Sequence, residues 1–239
     1  DEVLTSTDVM KEIVPIIGWP VIPVMRTSGG EWIQDTADIM ARVEADHPAP
    51  SVWPENGVMR FVSELLHVYG DEWLTLPAMH YRWNYNEEVT YRSFGAMAAP
   101  DADRETQYTI GKKRGTMFKG FVPMLGINEQ TIPAIERSYE AFLDEFSAHL
   151  AVHPFVMGGR PCVADFALYG PLYAHLYRDP ASGEIMKARA PNVAEWVERL
   201  LTGNYAAGEL ASDVPETLLP LLARHAAEHL PVLEQTNAL

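Results

Sequence analysis

The stretch of residues 19–39 constrains the fold of this chain more than any other part of its sequence. It reads WPVIPVMRTSGGEWIQDTADI, two short apolar runs separated by a Ser-Gly-Gly turn and followed by Asp35 and Thr36. A glycine pair between two strand-like runs is typical of a β-hairpin. Asp and Thr are frequent residues at the start of a helix. The stretch therefore predicts strands over residues 21–25 and 31–33, joined by a tight turn, and a helix that starts at Asp35.

Pro23 and the helix start offer binding groups in the same stretch. Proline cannot donate a hydrogen bond to a sheet, so Pro23 belongs at a strand edge or start, where the neighbouring backbone can face a ligand. The free N–H groups and positive dipole end of a helix start suit a carboxylate. The side chain of Asp35 can accept a hydrogen bond from an amine. The stretch thus offers contacts for both ends of an amino acid.

This combination of X-Pro at a strand edge, a hairpin and an acidic-hydroxyl pair resembles the glutathione site of the glutathione S-transferases. In that family the residue before a cis proline pairs its backbone with the cysteinyl part of glutathione. The resemblance implies this role for Ile22, with a cis bond to Pro23. It also implies that Asp35 and Thr36 hold the γ-glutamyl end, with Gln34 assisting. The family more often has Glu-Ser at this pair, so Asp-Thr keeps the charge and the hydroxyl.

A proline-rich segment marks the predicted boundary between two domains. Three prolines between residues 48 and 54 cannot continue a helix. We predict a partial thioredoxin-like glutathione-binding domain over residues 1–46, a linker over 47–56 and an all-helical domain over 57–239. Apolar residues at helical spacing mark several helices in the last part, although Gly and Pro interrupt residues 86–128.

The resemblance also implies a fold class. It is an α/β thioredoxin-like N-terminal domain, truncated, followed by an all-α C-terminal helical bundle. The elements before the linker match only the later part of the family's first domain. The strand that leads to the family's thiol-activating Tyr, Ser or Cys has no counterpart, so no catalytic residue is assigned.

A second family signature lies at Cys162 and Asp165, which open a strongly apolar helical segment. An acidic residue three positions after the helix start can accept from the first amides, as in a capping box. The family has Ser or Thr where this chain has Cys162. We predict a structural role for Asp165. For Cys162 we favour the same role over that of a nucleophile, although a helix start lowers a thiol pKa.

The densest aromatic patch of the sequence contains Tyr81, Trp83 and Tyr85. In the family this region lines the pocket for apolar co-substrates. Tyr and Trp also commonly fill protein cores. Packing and pocket wall are both open for these three residues.

Two further patterns favour ordinary structural readings. His225 and His229, with Glu228 between them, match the inverted zinc-protease pattern, but a solvated helix is the better interpretation, and no metal site is predicted. The basic run 112–114 can contact an anion, but we favour a solvated turn.

Composition limits the partners. The 239 residues carry a net charge of −15, which argues against nucleic acid and anionic lipid. The single cysteine allows no internal disulfide, and no apolar run approaches the roughly 18 residues of a membrane span. We expect a cytoplasmic protein without nucleic-acid or membrane partners.

The resemblance implies an enzyme that transfers glutathione to a small apolar electrophile, with glutathione as co-substrate and no metal. Members are commonly homodimers. The alternative is a non-catalytic, transferase-like binding or interaction protein that lacks the thiol-activating residue.

Overall fold

Helices dominate this computed structural model, which describes residues 3, 6–18, 22–203 and 208–238. The helices are α1 Thr7–Ile17, α2 Thr36–Asp46, α3 Gly57–Val68, α4 Thr75–Asn84, α5 Glu87–Ala98, α6 Arg104–Lys119, α7 Ile132–Leu150, α8 Val163–Pro171, α9 Pro180–Arg189, α10 Pro191–Thr202, α11 Leu219–Glu228 and α12 Leu230–Asn237. Single π-helical turns lie at Tyr69–Trp73 and Leu172–Tyr177, and 3₁₀ turns at Pro123–Leu125 and Glu216–Leu218. Among the residues described, no helix is both long and apolar enough to cross a membrane.

The chain folds into two units. The first consists of Asp1–Val52 with Glu88–Phe118, and the second of Trp53–Glu87 with Lys119–Leu239. The domain limits proposed from the sequence, at residues 46 and 57, stay a prediction.

In the described part of the first unit, the β-sheet is a two-stranded antiparallel hairpin. Strand β1 is Val24–Arg26 and β2 is Trp32–Gln34. The register pairs Val24 with Gln34 and Arg26 with Trp32. The predicted hairpin is confirmed, with strands one to three residues later than expected. Val21, in the predicted first strand, lies outside the described residues.

Two helices of the first unit, α5 and α6, pack backbone against backbone. A Cβ atom on Gly95 would lie 1.8 Å from the carbonyl oxygen of Gln107, and one on Gly111 would lie 1.8 Å from that of Tyr91. The glycines that interrupt the apolar pattern in the sequence are therefore the contact points between these helices. The basic run 112–114 lies within α6, so the predicted turn is wrong; Arg114 donates to the hydroxyl of Thr7 at 2.9 Å.

Helices α7, α8 and α10 supply the centre of the second unit. Their inward faces carry fully buried apolar side chains because apolar residues recur at three-and-four spacing along each helix. Trp196 of α10 meets Phe146 of α7 edge to face at 5.1 Å. The central side chains are Phe142, Leu143, Phe146, Leu168, Trp196 and Val197.

Candidate functional site

The predicted glutathione-binding residues flank one end of the hairpin. Ile22 and Pro23 come directly before β1 and are joined by a cis peptide bond, as the resemblance implies. Asp35 comes directly after Gln34, the last residue of β2. Since Val24 pairs with Gln34, the two predicted binding segments leave the sheet at the same end.

Asp35 starts helix α2 from an unusual backbone conformation. Its φ is 86° and its ψ is 131°, and no other non-glycine residue in the described chain has a positive φ. One carboxylate oxygen, Oδ1, accepts a hydrogen bond from the backbone N–H of Ala37 at 2.9 Å. The backbone carbonyl of Asp35 accepts from Ile39 at 3.0 Å. The sequence predicted the helix cap; the positive φ is a finding of the structure.

Several polar groups at this end of the hairpin remain available to a ligand. Ile22 is 63% exposed, and Pro23, Asp35 and Thr36 are exposed as well. Within the described part of the chain, neither the backbone of Ile22, the Thr36 hydroxyl nor Oδ2 of Asp35 forms a hydrogen bond. The arrangement offers a backbone edge, a hydroxyl and a carboxylate beside the positive end of a helix.

The predicted pocket residues Tyr81, Trp83 and Tyr85 belong to the second unit and differ in exposure. Tyr81 and Trp83 are buried, and Tyr81 packs edge to face against Tyr139 at 5.6 Å. Tyr85, at the end of α4, is 59% exposed. Of the three, Tyr85 is the one that can contact a ligand without rearrangement.

A polar network that the sequence did not reveal fixes Tyr85. Its hydroxyl donates to Glu136 of α7 at 2.9 Å, and His80 Nε2 lies 3.0 Å from the same carboxylate oxygen. Asn84 Nδ2 lies 2.8 Å from the other ring nitrogen of His80. The hydrogen bond with His80, and to a smaller extent the one with Tyr85, lowers the pKa of Glu136 and so favours its carboxylate form. The position of Glu136 opposite α4 depends on packing between helices 50 residues apart, which local sequence patterns do not report.

The capping box predicted at Asp165 is present at the start of α8. Its carboxylate is fully buried and accepts from the backbone N–H groups of Val156 and Cys162 and from the indole of Trp196, each at 3.0 Å. Burial raises the pKa of Asp165 to about 6, and the three donors act in the opposite direction. The carboxylate therefore connects the loop before α8, the helix itself and α10.

Cys162 lies inside the same capping box and is fully buried. Burial and the nearby Asp165 carboxylate raise the pKa of its thiol well above the usual range. A reactive cysteine needs the opposite environment, exposed and with a lowered pKa. The geometry agrees with a structural role.

His225 and His229 are both buried, at 2% exposure each, so the predicted solvated helix is wrong at these positions. Their rings contact each other and the aromatic side chains of Tyr69 and Trp73. The helix itself was predicted, but its buried face could not be assigned from an Ala/Glu/His-rich segment. Within the described residues, no three His, Cys, Asp or Glu side chains are grouped so as to hold a metal ion.

Part of the second unit is similar to a known protein family. Residues 129–199 match the family model of the glutathione S-transferase C-terminal domain. Among solved structures, a glutathione S-transferase from Rhodospirillum rubrum F11 is similar at 16% identity over 86% of this chain and 80% of that chain, with a TM-score of 0.46. No curated protein matches this chain in sequence.

The matched region runs from just before α7 into α10 and includes the Asp165 capping box. The predicted fold class, a small α/β part followed by an all-helical transferase-like domain, is confirmed for the described residues. Residues 129–199 are therefore similar to the C-terminal domain of the glutathione S-transferases.

Proposed function

We propose that this protein binds glutathione at the hairpin end of its first unit and transfers it to a small apolar electrophile. The observation that carries the proposal is the conformation and position of Asp35. It is a strained, exposed acidic residue that caps α2 immediately beyond the strand paired with the Ile22–Pro23 side of the hairpin. Strained backbone conformations persist where the surrounding structure enforces them, and they concentrate at ligand sites.

Each binding role follows from the chemistry of glutathione. Its γ-glutamyl end carries an ammonium and a carboxylate. Oδ2 of Asp35 would accept from the ammonium, while the Thr36 hydroxyl and the first amides of α2 would donate to the carboxylate. The exposed backbone of Ile22 would pair with the cysteinyl peptide group. Gln34, half-buried at the end of β2, would assist as a polar neighbour.

For the electrophile we propose a surface that includes Tyr85. Its ring is exposed and its hydroxyl is held by Glu136, so it offers an apolar face in a fixed orientation. The burial of Tyr81 and Trp83 supports packing roles, behind Tyr85, for those two residues.

The first test is calorimetry of glutathione binding to the parent chain and to a double variant, Asp35→Ala with Thr36→Ala. Loss of a charged hydrogen bond and of the hydroxyl contact should weaken binding by at least about 10-fold. The matched control is Asp38→Ala, which removes an exposed first-turn carboxylate of the same helix without touching the proposed contacts. It should bind within about 3-fold of the parent. Equal affinity of the double variant and the parent would place glutathione elsewhere.

Turnover separates an enzyme from a binding protein. An aryl halide such as chlorodinitrobenzene, offered with glutathione, should yield the thioether above the uncatalysed rate if the protein is a transferase. Binding without rate enhancement over a panel of electrophiles would favour the non-catalytic alternative.

A further inference from the structure

The aromatic cluster of Tyr69, Trp73, His225 and His229 holds the end of α11 against the rest of the second unit. The two imidazole rings meet edge to face at 5.1 Å, and His225 meets Tyr69 at 5.4 Å between ring centroids. His229 stacks on Trp73 at 5.1 Å. Tyr69 and both histidines are almost fully buried. The C-terminal helices are therefore attached in part through two histidine rings used as aromatic packing.

Four polar atoms of this cluster are buried without a hydrogen-bond partner among the described residues. They are both ring nitrogens of His225, Nδ1 of His229 and the Tyr69 hydroxyl. Burial of a neutral imidazole without a hydrogen-bond partner has a moderate free-energy cost, whereas burial of an imidazolium ion without a partner is far less favourable. The packing of α11 is thus compatible with neutral rings and incompatible with imidazolium ions.

The charged groups around the cluster are already paired. Arg224 of α11 donates to Glu145 of α7 at 2.8 and 2.6 Å and to Glu228 at 2.7 Å. Glu228 also accepts from the indole of Trp73 at 3.3 Å and from the hydroxyl of Ser138. Glu145, Glu228 and Arg224 are charged side chains that act electrostatically on Tyr69 of the cluster. Their mutual pairing leaves neither carboxylate directed at a protonated histidine.

We propose that α11 and α12, here called the C-terminal strap (residues 219–237), detach from the rest of the second unit under mild acid, because protonation of His225 and His229 requires both rings to reach water. Detachment uncovers the rings of Tyr69 and Trp73. The proposal is independent of glutathione binding, since every group it uses lies in the second unit.

The size of the effect follows from linkage between protonation and docking. Burial lowers the pKa of His225 to about 4 and lowers that of His229 as well. In the detached strap both rings return to the ordinary value of 6.5. Between about pH 7.5 and about pH 5, His225 alone then shifts the docking equilibrium about 30-fold toward the detached form.

Hydrogen exchange measured by mass spectrometry at these two pH values tests the proposal on the full chain. After correction for the intrinsic pH dependence of exchange, the opening constant of residues 219–237 should rise by about 30-fold or more at the lower pH. Amides of α7 should change much less. In the double variant His225→Phe with His229→Phe, which keeps aromatic rings and removes both protons, the rise should disappear. The control is His47→Gln, which removes an exposed histidine of the first unit and should leave the rise intact.

The single variants keep the test decisive if the double variant does not fold. His225→Phe alone should abolish the larger part of the rise, and His229→Phe a smaller part. The proposal is overturned if the strap shows the same pH dependence as α7 in the parent chain. It is equally overturned if the rise persists unchanged in the histidine variants that fold.

Discussion

At the scale of single residues, Asp35 combines an exposed carboxylate with an unfavourable backbone conformation. The region near φ 86°, ψ 131° is sparsely populated by residues other than glycine. Glycine at this position would release strain, and yet the chain has an aspartate. This is the pattern expected where a side chain is retained for binding at some cost in stability.

Replacement of Asp35 separates the two effects. Both Asp35→Ala and Asp35→Gly remove the cap to Ala37, but only glycine relieves the backbone. We expect the free energy of unfolding of the Asp35→Gly variant to be about 1–2 kcal/mol higher than that of the Asp35→Ala variant. Urea denaturation followed by circular dichroism measures this difference. Both variants should lose glutathione affinity alike. Equal stability of the two would mean that the backbone at residue 35 relaxes freely.

Asp165 presents the opposite case, a buried side chain with only structural contacts. Asp165→Ala would leave three buried N–H donors without an acceptor, namely those of Val156, Cys162 and Trp196. Each such loss costs about 1–3 kcal/mol, so we expect the free energy of unfolding to fall by at least about 3 kcal/mol. Glutathione affinity of the folded fraction should not change.

The comparison variant is Trp196→Phe, which removes the ring N–H donor to Asp165 and keeps an aromatic side chain in the core. A double-mutant cycle with Asp165→Ala measures the coupling between the two positions, expected at about 1–3 kcal/mol. A large loss of affinity in Asp165→Ala without a stability loss would contradict the structural role.

At the scale of elements, the sequence predicted those parts whose signals are local. The Ser28-Gly29-Gly30 turn predicted the hairpin, and Asp35 with Thr36 predicted the start of α2 within one residue. Residues 86–128 could not be assigned because Gly95 and Gly111 break the apolar pattern of α5 and α6. These glycines are informative only once the two helices are seen to cross at them. Likewise, the burial of His225 depends on Tyr69, which lies more than 150 positions earlier.

The α5–α6 crossing leads to a prediction about small substitutions. Gly95→Ala and Gly111→Ala each place a methyl group 1.8 Å from a carbonyl oxygen, so the helices must separate. We expect each variant to lose about 1–3 kcal/mol of stability. Gly170→Ala in α8 is the matched control, because no atom lies within 4 Å of its added methyl group. That variant should gain about 0.5–1 kcal/mol, since alanine favours a helix interior. Similar results for all three, by urea denaturation, would contradict the close crossing.

At the scale of the whole molecule, buried titratable groups should make stability depend on pH in two opposing ways. Burial lowers the pKa of His149 to about 4, and burial together with nearby arginines lowers that of His175 to about 3. A base with a lowered pKa stabilises the folded state above its unfolded value of 6.5, and this contribution is lost as pH falls. His149 alone accounts for a loss of about 3 kcal/mol by about pH 4.

Asp165 acts with the opposite sign. Its pKa is raised to about 6 from 3.8, so protonation favours the folded state and stability rises as pH falls between these values. Urea denaturation between about pH 7.5 and about pH 4 should show a net decline, because at least two histidines oppose one carboxylate. In Asp165→Asn, which cannot titrate, the decline should be steeper below about pH 6. A flat profile in the parent chain, or a shallower one in the variant, would contradict these assignments.

The burial of Cys162 has a consequence for how thiols are assayed in the presence of this protein. The sequence contains a single cysteine, and the folded chain keeps its sulfur inside the α8 capping box. A thiol-specific reagent can therefore label Cys162 only when this helix start opens, so the labelling rate measures that opening. It also follows that any thiol consumed in the presence of intact protein and an electrophile comes from the added thiol and not from Cys162. Cys162 thus reports whether the protein is intact, and the folded protein supplies no competing thiol.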